Sequence, residues 1–177
     1  MEFFDKLKTF YQAHELISIY ADDSDPSYAY YGYIQGMDET HLLLSAIHPE
    51  GRNFGLVLFK TDDILNFETD NREIQRIRKL TELYHITTTE ITLPKGKNVL
   101  LSTLQYVAEK NMVCALESIP DQLVTGFIKL EGNLVEMTEL DRFGKVYGKC
   151  YYDIDNIWRI WIESPEEFAR KLLYENQ

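Results

Sequence analysis

The chain repeats one pattern of glycines, aromatic residues and strand-like segments after 93 or 94 residues. Residues 51–67, GRNFGLVLFKTDDILNF, and residues 144–160, GKVYGKCYYDIDNIWRI, both read glycine, two residues, aromatic, glycine, strand, acidic turn, strand. Upstream, Gly32 in GYI matches Gly126 in GFI. A repeat of this length predicts a tandem duplication, in which each copy folds into the same arrangement of elements.

Helices and strands are predicted in the same order in both copies. In the first copy, apolar residues at helical spacing predict a helix that runs to about His14, and strand-like sequence then begins at LISIY. Apolar segments separated by turn-forming residues predict four more strands, at about residues 28–36, 41–47, 54–59 and 64–68. The second copy repeats this order, which predicts a mainly β chain with flanking helices (α+β).

Capping residues predict where the later helices begin. Asp70 followed by Glu73 is typical of a capping box, so a helix is expected from there to about Tyr84. Asn98 is a predicted cap for a helix with the apolar positions Leu100, Leu101, Leu104 and Val107, and the last helix has Ser164, Pro165 and Glu167 in capping-box order.

These signals divide the chain into a first copy at residues 1–86, a linker at residues 87–97, and a second copy at residues 98–177. The linker, TTTEITLPKGK, contains Pro94 and Gly96, which favour turns and interrupt regular structure.

Composition and charge exclude several classes of protein. With 45% hydrophobic residues the chain is too apolar to be disordered, and none of its apolar runs approaches the ~20 residues of a membrane span. The start MEFFDKLKTF lacks the basic leader and apolar core of a secretory signal, so a cytoplasmic protein is expected. Cys114 and Cys150 lack CxxC spacing, which favours free thiols over a disulfide or a metal site.

The net charge of −11 opposes binding to a nucleic acid backbone. Only residues 71–100 are basic, because they hold 6 basic and 3 acidic residues. Within them the segment NREIQRIRKL places apolar residues at helical spacing and leaves Arg72, Arg76 and Lys79 mostly off that stripe. These cations form either an ordinary solvated helix face or a set of phosphate contacts.

The glycines of the first copy resemble a known family signature. Gly32, Ile34, Gly36, Met37 and Asp38 are similar in spacing to the first signature of the Sm-like (LSm) family, in which a helix precedes a strongly bent five-stranded barrel. The second signature is approached by residues 55–64, GLVLFKTDDI, with Lys60 where the family has arginine. The resemblance covers about residues 10–68 and, more faintly, 106–162, and it implies two tandem helix-plus-five-strand Sm-like bent barrels.

The resemblance also implies a site for single-stranded RNA, which the first copy only partly retains. In the family an aspartate, an asparagine and an arginine–glycine pair line a pocket for an RNA base. Here Asp38 and Lys60 remain, the asparagine is missing with His41 or Leu42 near its place, and Thr61 replaces the glycine. The second copy has Gly132 in the Asp position and Asp153 in place of the basic residue. RNA contacts are therefore expected from the first copy, through Asp38, His41 and Lys60, with Arg72, Arg76 and Lys79 adding phosphate contacts.

Catalytic and metal-site patterns are absent from the sequence. The four histidines are scattered, with no triad or His-x-x-x-His context, and no phosphate-binding glycine loop is present. Asp62 and Asp63 are explained by the turn before the last strand of the first copy. We therefore expect no enzyme, no metal and no cofactor.

Two functions of different classes remain open. The first is a noncatalytic Sm-like binding protein that binds RNA or acts as a regulator. The second is an acidic protein-interaction module with no nucleic-acid binding, and an unrecognised hydrolase is a remote third. In each case the exposed edge strands of the barrels, together with 12 Tyr and 9 Phe, predict a homo-oligomer.

Overall fold

The computed structural model describes residues 2–21, 25, 27–94, 96–119 and 122–177, apart from the side chain of Ile119. Lys95, in the predicted linker, lies outside this part of the chain. The chain forms two compact units, Met1–Val99 and Leu100–Gln177, which we call the first and second units.

The first unit begins with a helix, continues through five strands and ends with a second helix. Its elements are α1 (Phe3–Ala13), β1 (Ile17–Tyr20), β2 (Tyr30–Met37), β3 (His41–Ile47), β4 (Asn53–Lys60), β5 (Asn66–Thr69) and α2 (Arg72–Tyr84). A short 3-10 helix, Thr61–Asp63, joins β4 to β5, and it contains the acidic pair that the sequence assigns to a turn.

The second unit repeats the order of the first. Its elements are α3 (Val99–Glu109), which begins at the last residue of the first unit, β6 (Val113–Ile119), β7 (Gln122–Glu131), β8 (Leu134–Leu140), β9 (Val146–Asp153), β10 (Arg159–Ile162) and α4 (Pro165–Glu175). The last two strands are again joined by a 3-10 helix, Ile154–Asn156. The prediction of a mainly β chain with flanking helices is confirmed.

The strands do not form two separate barrels. In the first unit the strand order is β5-β1-β2-β3-β4, in the second it is β10-β6-β7-β8-β9, and neither set of described strands closes into a barrel; the described pairings are antiparallel. The prediction of two tandem Sm-like barrels is therefore wrong. Sequence periodicity identifies strands, but the closure of a sheet depends on strand tilt and stagger, which that periodicity does not encode.

The repeated glycines Gly32 and Gly126 are required by close packing of neighbouring strands. A Cβ atom at Gly32 would lie 2.1 Å from the backbone oxygen of Ser45, and one at Gly126 would lie 2.0 Å from that of Thr138. Both distances are far below van der Waals contact. The repeat in the sequence singled out these two glycines, and the close approach of the neighbouring strand explains why neither position can carry a side chain.

The helix-start predictions are confirmed at α4 and displaced by one residue at α2. At α4 the Glu167 carboxylate accepts a hydrogen bond from the Ser164 N–H at 3.0 Å, which completes a capping box. At α2 the cap is Asn71, whose side chain accepts from the Ile74 N–H at 2.8 Å. Asp70 precedes it with a positive φ of 54°.

An arginine near the start of the last helix ties that helix to the sheet in each unit. Arg76 donates from Nη1 to the backbone oxygen of Pro49 at 3.0 Å, just beyond the end of β3. Arg170 donates from Nη1 to the backbone oxygen of Leu140 at 2.8 Å, at the end of β8. We call these two contacts the arginine ties.

The core of each unit lies on the strands and on the inner faces of the helices. In the first unit β3 is buried along its whole length, and β4 is buried from Gly55 to Phe59. In the second unit Val135 and Met137 of β8 are buried, as is Leu104 of α3. The helices of the described residues are too short or too polar to cross a bilayer.

Candidate functional site

Asp38 organises the turn between β2 and β3 and also reaches the start of α3. Its Oδ1 atom accepts hydrogen bonds from the Thr40 N–H at 2.8 Å, the Thr40 hydroxyl at 2.7 Å and the His41 N–H at 2.8 Å. Its Oδ2 atom accepts from the Val99 N–H, the first amide of α3, at 2.6 Å. Both carboxylate oxygens are thus engaged by groups of the chain itself.

These hydrogen bonds stabilise the ionised form of Asp38. Partial burial alone would raise the pKa of the carboxyl group, but the bonds from Val99, Thr40 and His41 outweigh it and hold the pKa below its usual range. The position of the carboxylate at the first turn of α3 is also where the helix dipole favours a negative charge. Asp38 is therefore a capping residue whose oxygens are already used.

His41 follows the turn that Asp38 organises, and Lys60 lies opposite it. The two residues are directly opposite each other on β3 and β4. His41 is only 8% exposed, and its Nδ1 lies 2.9 Å from the Thr40 hydroxyl oxygen. Since that hydroxyl donates to Asp38, it accepts from His41, which assigns the imidazole proton to Nδ1.

His41 is held in its neutral form. Burial lowers the pKa of His41 most strongly, the Lys60 ammonium lowers it further, and the charge of Asp38 opposes both. With the proton on Nδ1, Nε2 is a buried acceptor, and the described residues offer it no hydrogen-bond partner. The cluster can therefore present a lone pair and a half-buried ammonium, but the carboxylate is not free to act as a base.

The basic helix lies at the opposite end of β3 from this cluster. Arg76 contacts the oxygen of Pro49, which follows β3, whereas His41 begins that strand. Seven residues of strand span roughly 20 Å. The structure therefore brings Asp38, His41 and Lys60 together and does not bring Arg76 to them.

Acidic neighbours already pair with most cations of α2. Arg76 contacts Glu73 at 2.6 Å, Lys79 contacts Glu82 at 3.6 Å, and Arg78 contacts Glu15 at 3.9 Å. Arg72 lies exposed at the first position of the helix. The helix face is consequently far closer to neutral than the sequence segment alone indicates.

The corresponding turn of the second unit, between β7 and β8, is hydrogen-bonded to the end of β9. The Asn133 side-chain amide donates to the Asp153 carboxylate at 2.9 Å, and Gly132 has a positive φ of 63°. Asp153 also caps the short 3-10 helix that follows by accepting from Asp155 N–H at 3.0 Å. The asparagine side chain that a base pocket would need is therefore engaged by a residue at the end of β9.

The strand β9 is an exposed edge that sequence reasoning did not single out. It is the terminal strand of the sheet order and pairs through β8 alone among the described strands. Tyr147 and Tyr151 are 78% and 56% exposed. Tyr151 and Lys149 both contact the Glu136 carboxylate of β8, which fixes their positions on one face. The only sequence signal for this surface is the aromatic content of VYGKCYYD.

No cluster of three or more His, Cys, Asp or Glu side chains that could hold a metal occurs in the part of the chain that the structure describes. Comparison of the chain with protein-family models, with curated proteins and with solved structures found no match. The functional argument therefore rests on the geometry of the chain itself.

Proposed function

We propose that this chain is a noncatalytic interaction module that acts through protein–protein contacts and self-associates through β9. The observation that carries the proposal is the exposed edge of β9. A strand with an unpaired edge is a template for another strand, and Tyr is enriched at the centres of protein interfaces. The matching strand of the first unit, β4, is buried from Gly55 to Phe59, so the exposure of β9 does not follow from its place in the repeat.

Charge favours protein over RNA as the partner. The chain carries a net charge of −11, and three of the basic side chains of α2 have acidic partners. Asp38, which an RNA pocket would use, accepts four hydrogen bonds from its own chain. Kinship with the Sm-like family remains part of the proposal, supported by the spacing of Gly32, Gly36 and Asp38. A cytoplasmic location is a further part, supported by the free thiols Cys114 and Cys150.

Sedimentation velocity over a range of micromolar concentrations tests self-association. We expect an average mass that rises with concentration above the 20.8 kDa of one chain. Tyr147→Lys places a charge on the exposed edge and should shift the distribution towards the single chain. Tyr84→Lys is the matched control, because Tyr84 is also an exposed tyrosine but lies on α2. A single-chain mass at every concentration, or equal effects of the two variants, would refute self-association through β9.

Fluorescence anisotropy with short U-rich and A-rich RNAs at low salt tests the alternative partner. We expect no saturable binding at micromolar protein. Saturable binding that Lys60→Ala weakens tenfold or more would replace this proposal with the RNA-binding one.

A further inference from the structure

The last helix, α4, has a polar side and an apolar side. Successive residues of a helix are about 100° apart, which places Phe168 and Leu172 on one side, with Leu173 at its margin. Glu167, Arg170 and Lys171 lie on the other side. A surface helix of a globular protein normally turns the apolar side towards its own core.

In this structure α4 has the opposite orientation. Glu167 is only 4% exposed, and the side chains of Arg170 and Lys171 are mostly buried. Phe168 is 56% exposed and Leu172 is 53% exposed, with Leu173 exposed beside them. We call Phe168, Leu172 and Leu173 the outer stripe.

Specific polar contacts fix this orientation. Glu167 accepts from the Ser164 N–H at 3.0 Å, Arg170 makes its arginine tie to Leu140, and Lys171 lies 3.5 Å from the Glu163 carboxylate. On the same side, the Tyr174 ring contacts the Phe127 ring of β7 with centroids 5.1 Å apart. Turning the outer stripe inwards would break all of these contacts.

The matching helix of the first unit, α2, shows the ordinary arrangement. Counted from the cap, the third helical residue of α2 is Ile74 and that of α4 is Glu167, while the sixth residues are Ile77 and Arg170. Both isoleucines are fully buried. The second unit thus has a polar pair where the first unit has its apolar anchors.

The outward positions are exchanged in the same way. Phe168 and Leu172 of α4 stand where α2 carries Gln75 and Lys79, which are exposed. An exchange at both the inner and the outer positions of one helix makes the outer stripe a feature of the second unit, and apolar residues at i and i+4 are the anchors of helix-mediated recognition.

The charges at the two ends of the outer stripe indicate what covers it. Glu166 lies in the first turn of α4, where it pairs with Arg170, and Glu175 is the last residue of the helix; both glutamates are exposed. A second copy packed antiparallel on α4 would bring Glu175 of one chain towards Glu166 of the other, where one arginine would have to serve two carboxylates, which is unfavourable. A partner helix with basic residues at its ends would instead meet a carboxylate at each end.

We propose that the outer stripe of α4 binds an amphipathic helix of a different protein, whose apolar face is bordered by lysine or arginine residues. Leu173 lies near Gly144, in the turn that leads into β9, but the proposal does not depend on self-association through the β9 edge.

Two synthetic amphipathic helical peptides with one shared apolar face test the proposal. One carries lysines at both borders of that face, and the other carries glutamates there. Binding to the full chain is measured by anisotropy of a labelled peptide, and amide shifts in the NMR spectrum locate the contact. We expect the lysine peptide to bind at least tenfold more tightly than the glutamate peptide, with shifts concentrated on α4.

Variants of the outer stripe distinguish specific binding at this site from nonspecific hydrophobic binding elsewhere on the chain. Phe168→Gln and Leu172→Lys, which copy the residues of α2, should each weaken the lysine peptide tenfold or more. Leu83→Gln removes an exposed leucine of the first unit and should leave binding unchanged. Equal binding of the two peptides, equal effects of the three variants, or no binding at all would overturn the proposal. Loss of self-association in Phe168→Gln would also overturn it, by identifying a second copy as the occupant.

Discussion

Replacing Asp38 by asparagine tests whether one carboxylate holds both the β2–β3 turn and the start of α3. The substitution preserves size and one acceptor oxygen, which can still receive the hydrogen bonds of Thr40 and His41. The second oxygen, however, becomes an amide NH2 group that faces the Val99 N–H. In the wild type that N–H donates to the Asp38 oxygen at 2.6 Å. Two donors in this position repel each other and leave the helix amide without its cap.

The expected loss of stability follows from the bonds removed. A hydrogen bond to a charged group contributes ~1.5–3 kcal/mol, and the value for a partly exposed carboxylate lies at the lower end because solvent screens its charge. We therefore expect the free energy of unfolding to fall by about 2 kcal/mol at neutral pH. The pKa of Asp38 is lower in the folded chain than in the unfolded one. The stabilisation is thus complete above about pH 4 and is lost as the pH falls through the folded pKa, so variant and wild type should converge in acid.

Urea unfolding followed by circular dichroism measures the loss, and hydrogen exchange of the Val99 amide locates it. Glu39→Gln is the matched control, because it removes the neighbouring exposed carboxylate. Equal stability of Asp38→Asn and Glu39→Gln, with unchanged protection of the Val99 amide, would refute the capping role.

Three further results are expected. Gly126→Ala should lower the free energy of unfolding in urea by roughly 1–3 kcal/mol, because the added methyl group would meet the backbone of the neighbouring strand. Gly148→Ala is the control and should be tolerated, because a Cβ there would have nothing within 4 Å; similar losses in the two variants would contradict this reasoning. The pKa of the His41 imidazole, followed by NMR, should lie below the usual value of about 6.5 because the side chain is buried. The folded chain should therefore lose stability as the pH falls from about 6.5 through the folded pKa, and a titration midpoint above 6.5 would contradict burial as the main cause. Cys150, which is only partly buried, should react with a thiol reagent in the folded chain. Cys114 should react only on unfolding, because its burial in β6 excludes the reagent and strongly raises the pKa of its thiol; two rapidly reacting thiols would show that Cys114 is accessible.

Local signals predicted the elements well because their causes are local. The capping box at Ser164 and Glu167 involves residues three apart, and the strand from His41 to Ile47 is bounded by turn formers on both sides. The shift of one residue at the start of α2 has the same origin. Asp70 and Asn71 are both good caps, and only the backbone geometry decides that Asn71 is used.

Features that depend on distant parts of the chain could not be predicted. The bond from Val99 to Asp38 joins residues 61 apart, so the spacing around Asp38 indicates a turn but not a helix cap. Periodicity finds an apolar stripe on α4 and would place it inwards, whereas Arg170 and Glu167 hold it outwards. Asp38, His41 and Lys60 lie close together, but Arg76 lies at the other end of β3, and the position of a helix relative to the sheet is a tertiary property that the sequence pattern does not encode.

The arginine ties bear on how far the two halves of the chain can differ in sequence and still share an architecture. The accepting group is a backbone oxygen, carried by Pro49 in one unit and by Leu140 in the other. Every residue supplies such an oxygen, so mutation of the accepting residue leaves the bond intact as long as the backbone path is kept. Of the two residues in each tie, only the arginine contributes its side chain. A similar contact can therefore persist at positions where the two halves of the chain have no residue in common.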